Sequence, residues 1–166
     1  LRPHVAFTNV MAQQHGYMDT KAVGLDLAYR PDERTLFDMT VDVQHRSFEQ
    51  RVDLTNAAEV GGRLASVRAR LSRELKPGHQ LTAEVALRSS STYRTYYDYD
   101  QQEARVTYAF SYASPVAASR GQWTTSVWLG ALQRQYDAAD PAVSPGTARK
   151  DDEWRLGVSQ SIPVAD

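Results

Sequence analysis

The chain has 166 residues, with 19 basic and 20 acidic side chains and a formal net charge of −1. That balance excludes a general nucleic-acid binder, which carries a basic surplus. No apolar run approaches the ~20 residues that a spanning helix requires, and the absence of cysteine excludes disulfides and thiolate metal sites.

Apolar and polar residues alternate along much of the sequence, the period of a strand with two unlike faces. "HVAFTNVMAQ" alternates loosely. "KAVGLDLAYR" puts Val23, Leu25, Leu27 and Tyr29 on one parity and Asp26 and Arg30 on the other. "TLFDMTVDVQHRSF" sets Phe37, Met39, Val41 and Val43 against Asp38, Thr40, Asp42, Gln44 and Arg46. The next segment, "NAAEVGGRLASVRARLSRELKPG", supports two readings. Asn56 and Glu59 are spaced as a helix capping box, and Val60, Leu64, Val67 and Leu71 follow at helical spacing. As a strand, Val67, Ala69 and Leu71 oppose Arg68 and Arg70, and the pair Gly61-Gly62 would cost a helix ~2 kcal/mol relative to alanine. The strand is preferred, because a meander needs one there. "HQLTAEVALRSS" opposes Leu81, Val85 and Leu87 to Glu84 and Arg88, and "QEARVTYAFSY" opposes Val106, Tyr108, Phe110 and Tyr112 to Glu103 and Arg105. "QWTTSVWLGALQRQ" is looser, since Trp128 breaks its polar parity. "DEWRLGVSQSI" opposes Trp154, Leu156 and Val158 to Glu153 and Arg155.

The connections fall into two kinds. "RPDER", "LKPGHQ" and "SPVAASRGQ" are short and contain proline, whereas "QQHGYMDT", "SFEQRVDLTNAAEVGG", "SSSTYRTYYDYDQQ" and "RQYDAADPAVSPGTARKDD" are long and polar. They alternate, so an antiparallel meander gathers short turns at one rim and long loops at the other, as outer-membrane barrels do. The expected fold is all-β: an antiparallel up-and-down meander of about eight strands, a transmembrane β-barrel or part of a larger one, with residues 1–166 as one domain. Both ends are expected to continue in a longer protein.

Alternation does not say which face is inside. Phe7, Tyr29, Phe37, Tyr112 and Trp123 each lie within a few residues of a proline-bearing turn, as an aromatic girdle at a membrane boundary would. Segments of about ten residues cross a bilayer when tilted. The polar parity mixes both signs of charge with small residues. Its ionic members, Asp26, Asp38, Asp42, Arg46, Arg68, Arg70, Glu84, Arg88, Glu103, Arg105 and Arg155, are the candidate lumen-lining set. The apolar parity is then expected to face membrane lipid.

"LSRELKPGHQLTAEVALRSSSTYRTYYDYDQQEARVTYAFSY" and "RKDDEWRLGVSQSIP" resemble Gram-negative outer-membrane β-barrels, and more narrowly are similar to the C-terminal barrels of the surface lipoprotein assembly modifier type. Two features depart from that family: no helical-repeat segment is present, and the sequence ends on Asp166 rather than on an aromatic residue. The resemblance implies an outer-membrane location, continuity with further strands of a larger barrel, and passage of a solute or exported protein. It carries over no catalytic residue.

Chemical motifs are sparse. His4, His15, His45 and His79 lack the spacing of zinc ligands, and no phosphate loop or nucleophile elbow occurs. The acidic loop residues Asp98, Asp100, Asp137, Asp140, Asp151 and Asp152 do not follow the EF-hand pattern. No enzyme, metal or cofactor is expected. The alternative is a soluble all-β binding module that buries the apolar parity and recognises its ligand with the tyrosine-rich loop 91–101.

Overall fold

The computed structural model describes residues 1–12, 15–48, 57–115 and 121–163. They form eight strands: β1 (Arg2–Ala12), β2 (His15–Asp32), β3 (Thr35–Phe48), β4 (Gly62–Lys76), β5 (His79–Thr92), β6 (Tyr99–Ala113), β7 (Gln122–Tyr136) and β8 (Lys150–Ser161). All belong to one sheet in sequence order, each antiparallel to the next. The sheet is open: β1 and β8 are its edges and do not pair with each other.

The ambiguous fourth segment is the strand and not the helix, from Gly62 to Lys76. Ala57–Val60 before it forms a single 3-10 turn, and Asn56 of the capping-box spacing lies outside the described residues. A Cβ on Gly62 would run into the Ser91 carbonyl oxygen of β5, so glycine permits the close approach of these strands. The short connections are tight. Asp32 accepts the Arg34 N–H at 2.8 Å in the β2–β3 turn, and Gly78, at φ +77°, closes the turn after Pro77. One expected long connection differs, because β1 and β2 extend until only residues 13 and 14 lie between them.

The two faces are unequal. Leu64 and Leu132, on the face that carries the charges, are 6% and 7% exposed, whereas Leu87 and Leu129 on the other are 55% and 51% exposed. Within a single layer, that contrast for one residue type means the sheet curls toward its polar face. Among the described residues only Leu64, Ala86 and Leu132 are buried apolar residues. The accessible surface is 11659 Å², against roughly 8,200 Å² for a compact monomer of this mass. The excess is largely the uncovered apolar face.

That face carries its apolar residues in a slanted band. The hydrogen-bond row of Asp152 passes through Gln133, Gln102, Leu87, Val67, Val41 and Leu25 to Pro3. It is polar on β6–β8 and apolar on β1–β5. On β1 the first polar residue above the band is Asn9, six residues beyond Pro3. The lower border moves the same way, with the bonded pair Thr125 and Gln160 interrupting the band on β7 and β8. Tyr29 and Phe37 share a row with Leu129, while on β7 the aromatic end of the band is Trp123, six residues further down. Six residues at ~3.3 Å over seven strand spacings at ~4.8 Å is a slant of roughly 30° to the hydrogen-bond direction along the upper border, and over the five spacings of the lower border it is roughly 40°. The band has near-constant width, about 20–26 Å along the strands.

Candidate functional site: a charged face and its loop rim

All eleven candidate residues, Asp26, Asp38, Asp42, Arg46, Arg68, Arg70, Glu84, Arg88, Glu103, Arg105 and Arg155, lie on the curled-in face, because strand register preserves their parity from β2 to β8. Asp38, Arg70, Glu84 and Arg105 occupy one row on successive strands, so charge alternates from strand to strand. Arg70 Nε donates to Asp38 at 2.9 Å. The remaining contacts are mostly diagonal. Arg68 meets Glu84 at 3.9 Å, Arg88 meets Glu103 at 3.4 Å, and Arg105 lies 4.0 Å from the same Glu103. Arg155 pairs with Glu153 on its own strand. Asp26 accepts from Thr40 and Arg2, whereas Asp42 accepts from Ser66 and from Gln44, which in turn accepts from Arg46.

These side chains are partly solvated, so each pair contributes about 0–1 kcal/mol. The network fixes orientation more than it stabilises. Arg105 Nε and Gln101 Nε2 are buried and find no hydrogen-bond partner among the described residues.

Trp128 explains the broken parity of β7. It lies on the charged face directly opposite Gly157, and its ring covers the space where a Gly157 side chain would stand. The Arg105 guanidinium lies 4.5 Å above the ring. The bulky ring is accommodated by the missing side chain across the strand, a pairing visible only once the register is known.

Sequence reasoning also missed the cluster nearer the long loops. Gln101, 2% exposed, accepts from Arg134 Nη2 at 2.6 Å and Nε at 2.9 Å. The same guanidinium lies 4.7 Å over the Tyr99 ring, and Tyr99 packs on Tyr136 across β6 and β7. Above them Arg149 lies 5.3 Å over Tyr136.

The loop rim is tied to itself. Glu59 accepts from Arg94 at 2.9 Å and from the Tyr96 hydroxyl at 3.0 Å, joining the β3–β4 and β5–β6 connections. Those bonds, Arg94 first, hold the Glu59 carboxyl below its ordinary pKa, while desolvation and Glu59 push the Tyr96 phenol up. Buried Asp98 accepts the Thr92 N–H and hydroxyl, and its own carbonyl accepts the Asp137 N–H of the β7–β8 connection. Tyrosines 96, 97 and 136 thereby border a cleft of about 590 Å³ between the last two loops.

The five expected girdle residues occupy both borders of the apolar band. Tyr29 pairs with Phe37, and Tyr112 with Trp123, at the border next to the short turns. Phe7 lies at the opposite border, beside Lys21, because β1 enters the sheet several rows higher than its nearness to Pro3 suggests. Trp154 also marks that upper border, opposite Ala131. No group of three metal-ligating side chains occurs among the described residues.

Comparison with known proteins finds no matching family model, no matching curated protein and no matching solved structure.

Proposed function

We propose that this chain forms wall strands of an outer-membrane β-barrel in a Gram-negative envelope, acting in translocation or as a channel rather than in catalysis. Its apolar band faces acyl chains, and its charged face lines a watery lumen through which a solute or an exported protein passes. The observation that carries this reading is the slant of the band. A planar hydrocarbon slab has parallel borders, and it crosses tilted strands obliquely to their hydrogen-bond rows. The slant of roughly 30–40° is close to the 35–45° tilt of membrane barrels, and the band's projected height of about 17–23 Å approaches their ~25 Å belt. A sheet packed on a second protein layer has no reason to keep two borders slanted the same way.

In this reading β1 and β8 are joined by further strands, since an eight-stranded barrel fills its interior with side chains. The sequence style supports a barrel of the surface lipoprotein assembly modifier type. The test is extraction followed by conductance. The full-length protein should need detergent and migrate on denaturing gels according to whether it was heated. In planar bilayers, Arg68→Glu and Arg70→Glu should shift ion preference toward cations. A chain that stays monomeric in detergent-free buffer sinks the proposal. The soluble-module alternative draws support from the tyrosine cleft alone and leaves exposed Leu25, Val41 and Val85 without cover.

A further inference from the structure

The loop cleft has a composition the lumen reading does not use. Its walls come from the β5–β6 and β7–β8 connections. Tyr96 and Tyr97 are adjacent tilted rings with centroids 4.5 Å apart. Tyr96 is fixed by its hydroxyl bond to Glu59, so this aromatic corner is preformed. Arg149 and the hydroxyl-bearing Ser144 and Thr147 line the same cleft. Aliphatic lining is limited to two alanines and Val143, too little for a lipid tail.

Arg149 retains unused donors. Arg149 gives Nε to Asp151 at 2.7 Å, and its two terminal nitrogens have no other bond among the described residues. Tyr136 holds the guanidinium in place from beneath. A guanidinium anchored through Nε and a ring face still presents donors to fork a carboxylate. Lys150, the next residue, turns to the other face of the sheet, where its Nζ meets Asp152 at 3.4 Å. The carboxylate on the lining, Asp140, is engaged in capping the Ala142 N–H at 2.8 Å. The cleft therefore offers ring faces, hydroxyls and a guanidinium, with a single carboxylate on its lining.

We infer that this cleft binds an acidic oligosaccharide, with sugar rings packed on Tyr96 and Tyr97 and a ring carboxylate held by Arg149. A pyranose presents polarised C–H bonds to the electron-rich ring faces, and its hydroxyls suit Ser144 and Thr147. The volume is that of a small-ligand site. The inference holds whatever medium covers the apolar band.

The test is titration calorimetry on the purified protein, in detergent if it requires it, using a short oligogalacturonate. A neutral malto-oligosaccharide and polyglutamate are the comparators. Oligogalacturonate should bind saturably and at least about tenfold more tightly than either comparator. Arg149→Gln should weaken it about tenfold and erase most of the preference over the neutral sugar. Tyr97→Leu should weaken both sugars, while Arg30→Gln, at the opposite rim, should change neither. No saturable binding, equal affinity for polyglutamate, or indifference to both Arg149→Gln and Tyr97→Leu would overturn the inference. A detergent-free, sugar-binding chain would reject the barrel and keep the cleft, whereas a membrane-inserted chain that ignores the sugar would do the reverse.

Discussion

Ala69 and Ala131 test the slanted band with chemistry held constant. Both are half-buried alanines on the apolar face, and both lie in one hydrogen-bond row, which runs from Ala69 through Val85 and Ala104 to Ala131. On β4 that row falls inside the band, four residues above Arg73, which bounds it below, and six residues below Arg63. On β7 the same row is the last apolar position, and Gln133 follows it on the same face. An arginine placed on the lipid face of a barrel costs about 2–4 kcal/mol at the mid-plane and about 0–1 kcal/mol near an interface. Ala69→Arg should therefore cost about 2–3 kcal/mol more than Ala131→Arg. Denaturant titration of protein refolded into phospholipid vesicles, followed by tryptophan fluorescence, measures the difference. If the apolar face were instead covered by a flat protein layer, two equally buried alanines in one row would cost the same. Equal costs, or a larger cost at Ala131, would refute the slab explanation of the slant.

Gly157→Ala should destabilise the sheet by about 1–3 kcal/mol, because the added methyl meets the Trp128 ring. Combining it with Trp128→Ala should recover most of that cost, and additive losses in denaturant titration would exclude the ring as the cause. The Glu59 link should be pH-dependent. Its folded pKa lies below the unfolded value, so its contribution is present above ordinary glutamate titration and is lost as pH falls through the lowered folded value. Exchange protection of the Tyr97 and Asp98 amides, which donate to Arg94 and Thr95 carbonyls, should fall on acidification and be low at every pH in Glu59→Gln. Protection unchanged by that substitution would remove Glu59 from loop docking. Asp38→Asn should leave Arg70 without its 2.9 Å carboxylate partner and lower stability by no more than about 1 kcal/mol. A much larger loss would mean the charged face is drier than its exposure indicates.

Much of the sheet was legible because side-chain period maps directly onto face. Asp38 and Asp42 share one surface of their strand, and Val41 and Val43 share the other, whatever that strand pairs with. The fourth strand was less legible. Its capping-box spacing and helical leucines are genuine local signals, and the outcome depended on Gly62 lying against the β5 backbone, a contact remote in sequence. Trp128 was opaque for the same reason, since its explanation is a glycine 29 positions away across a strand pair. The first long connection was misjudged because nothing within "QQHGYMDT" states where pairing stops. Phe7 was placed at the wrong border because distance from a proline along the chain is not height in the sheet.

By itself the sequence determined strand number, strand order and the split between an apolar and a charged surface. Each is a property of one segment or its nearest neighbour, which period-2 geometry and short turns encode locally. Tertiary structure alone decided the heights at which the strands lie beside one another, and with them the oblique band, the charge rows and the tyrosine cleft. Relative height is set by cross-strand hydrogen bonds summed over all eight strands, and no single segment contains that sum.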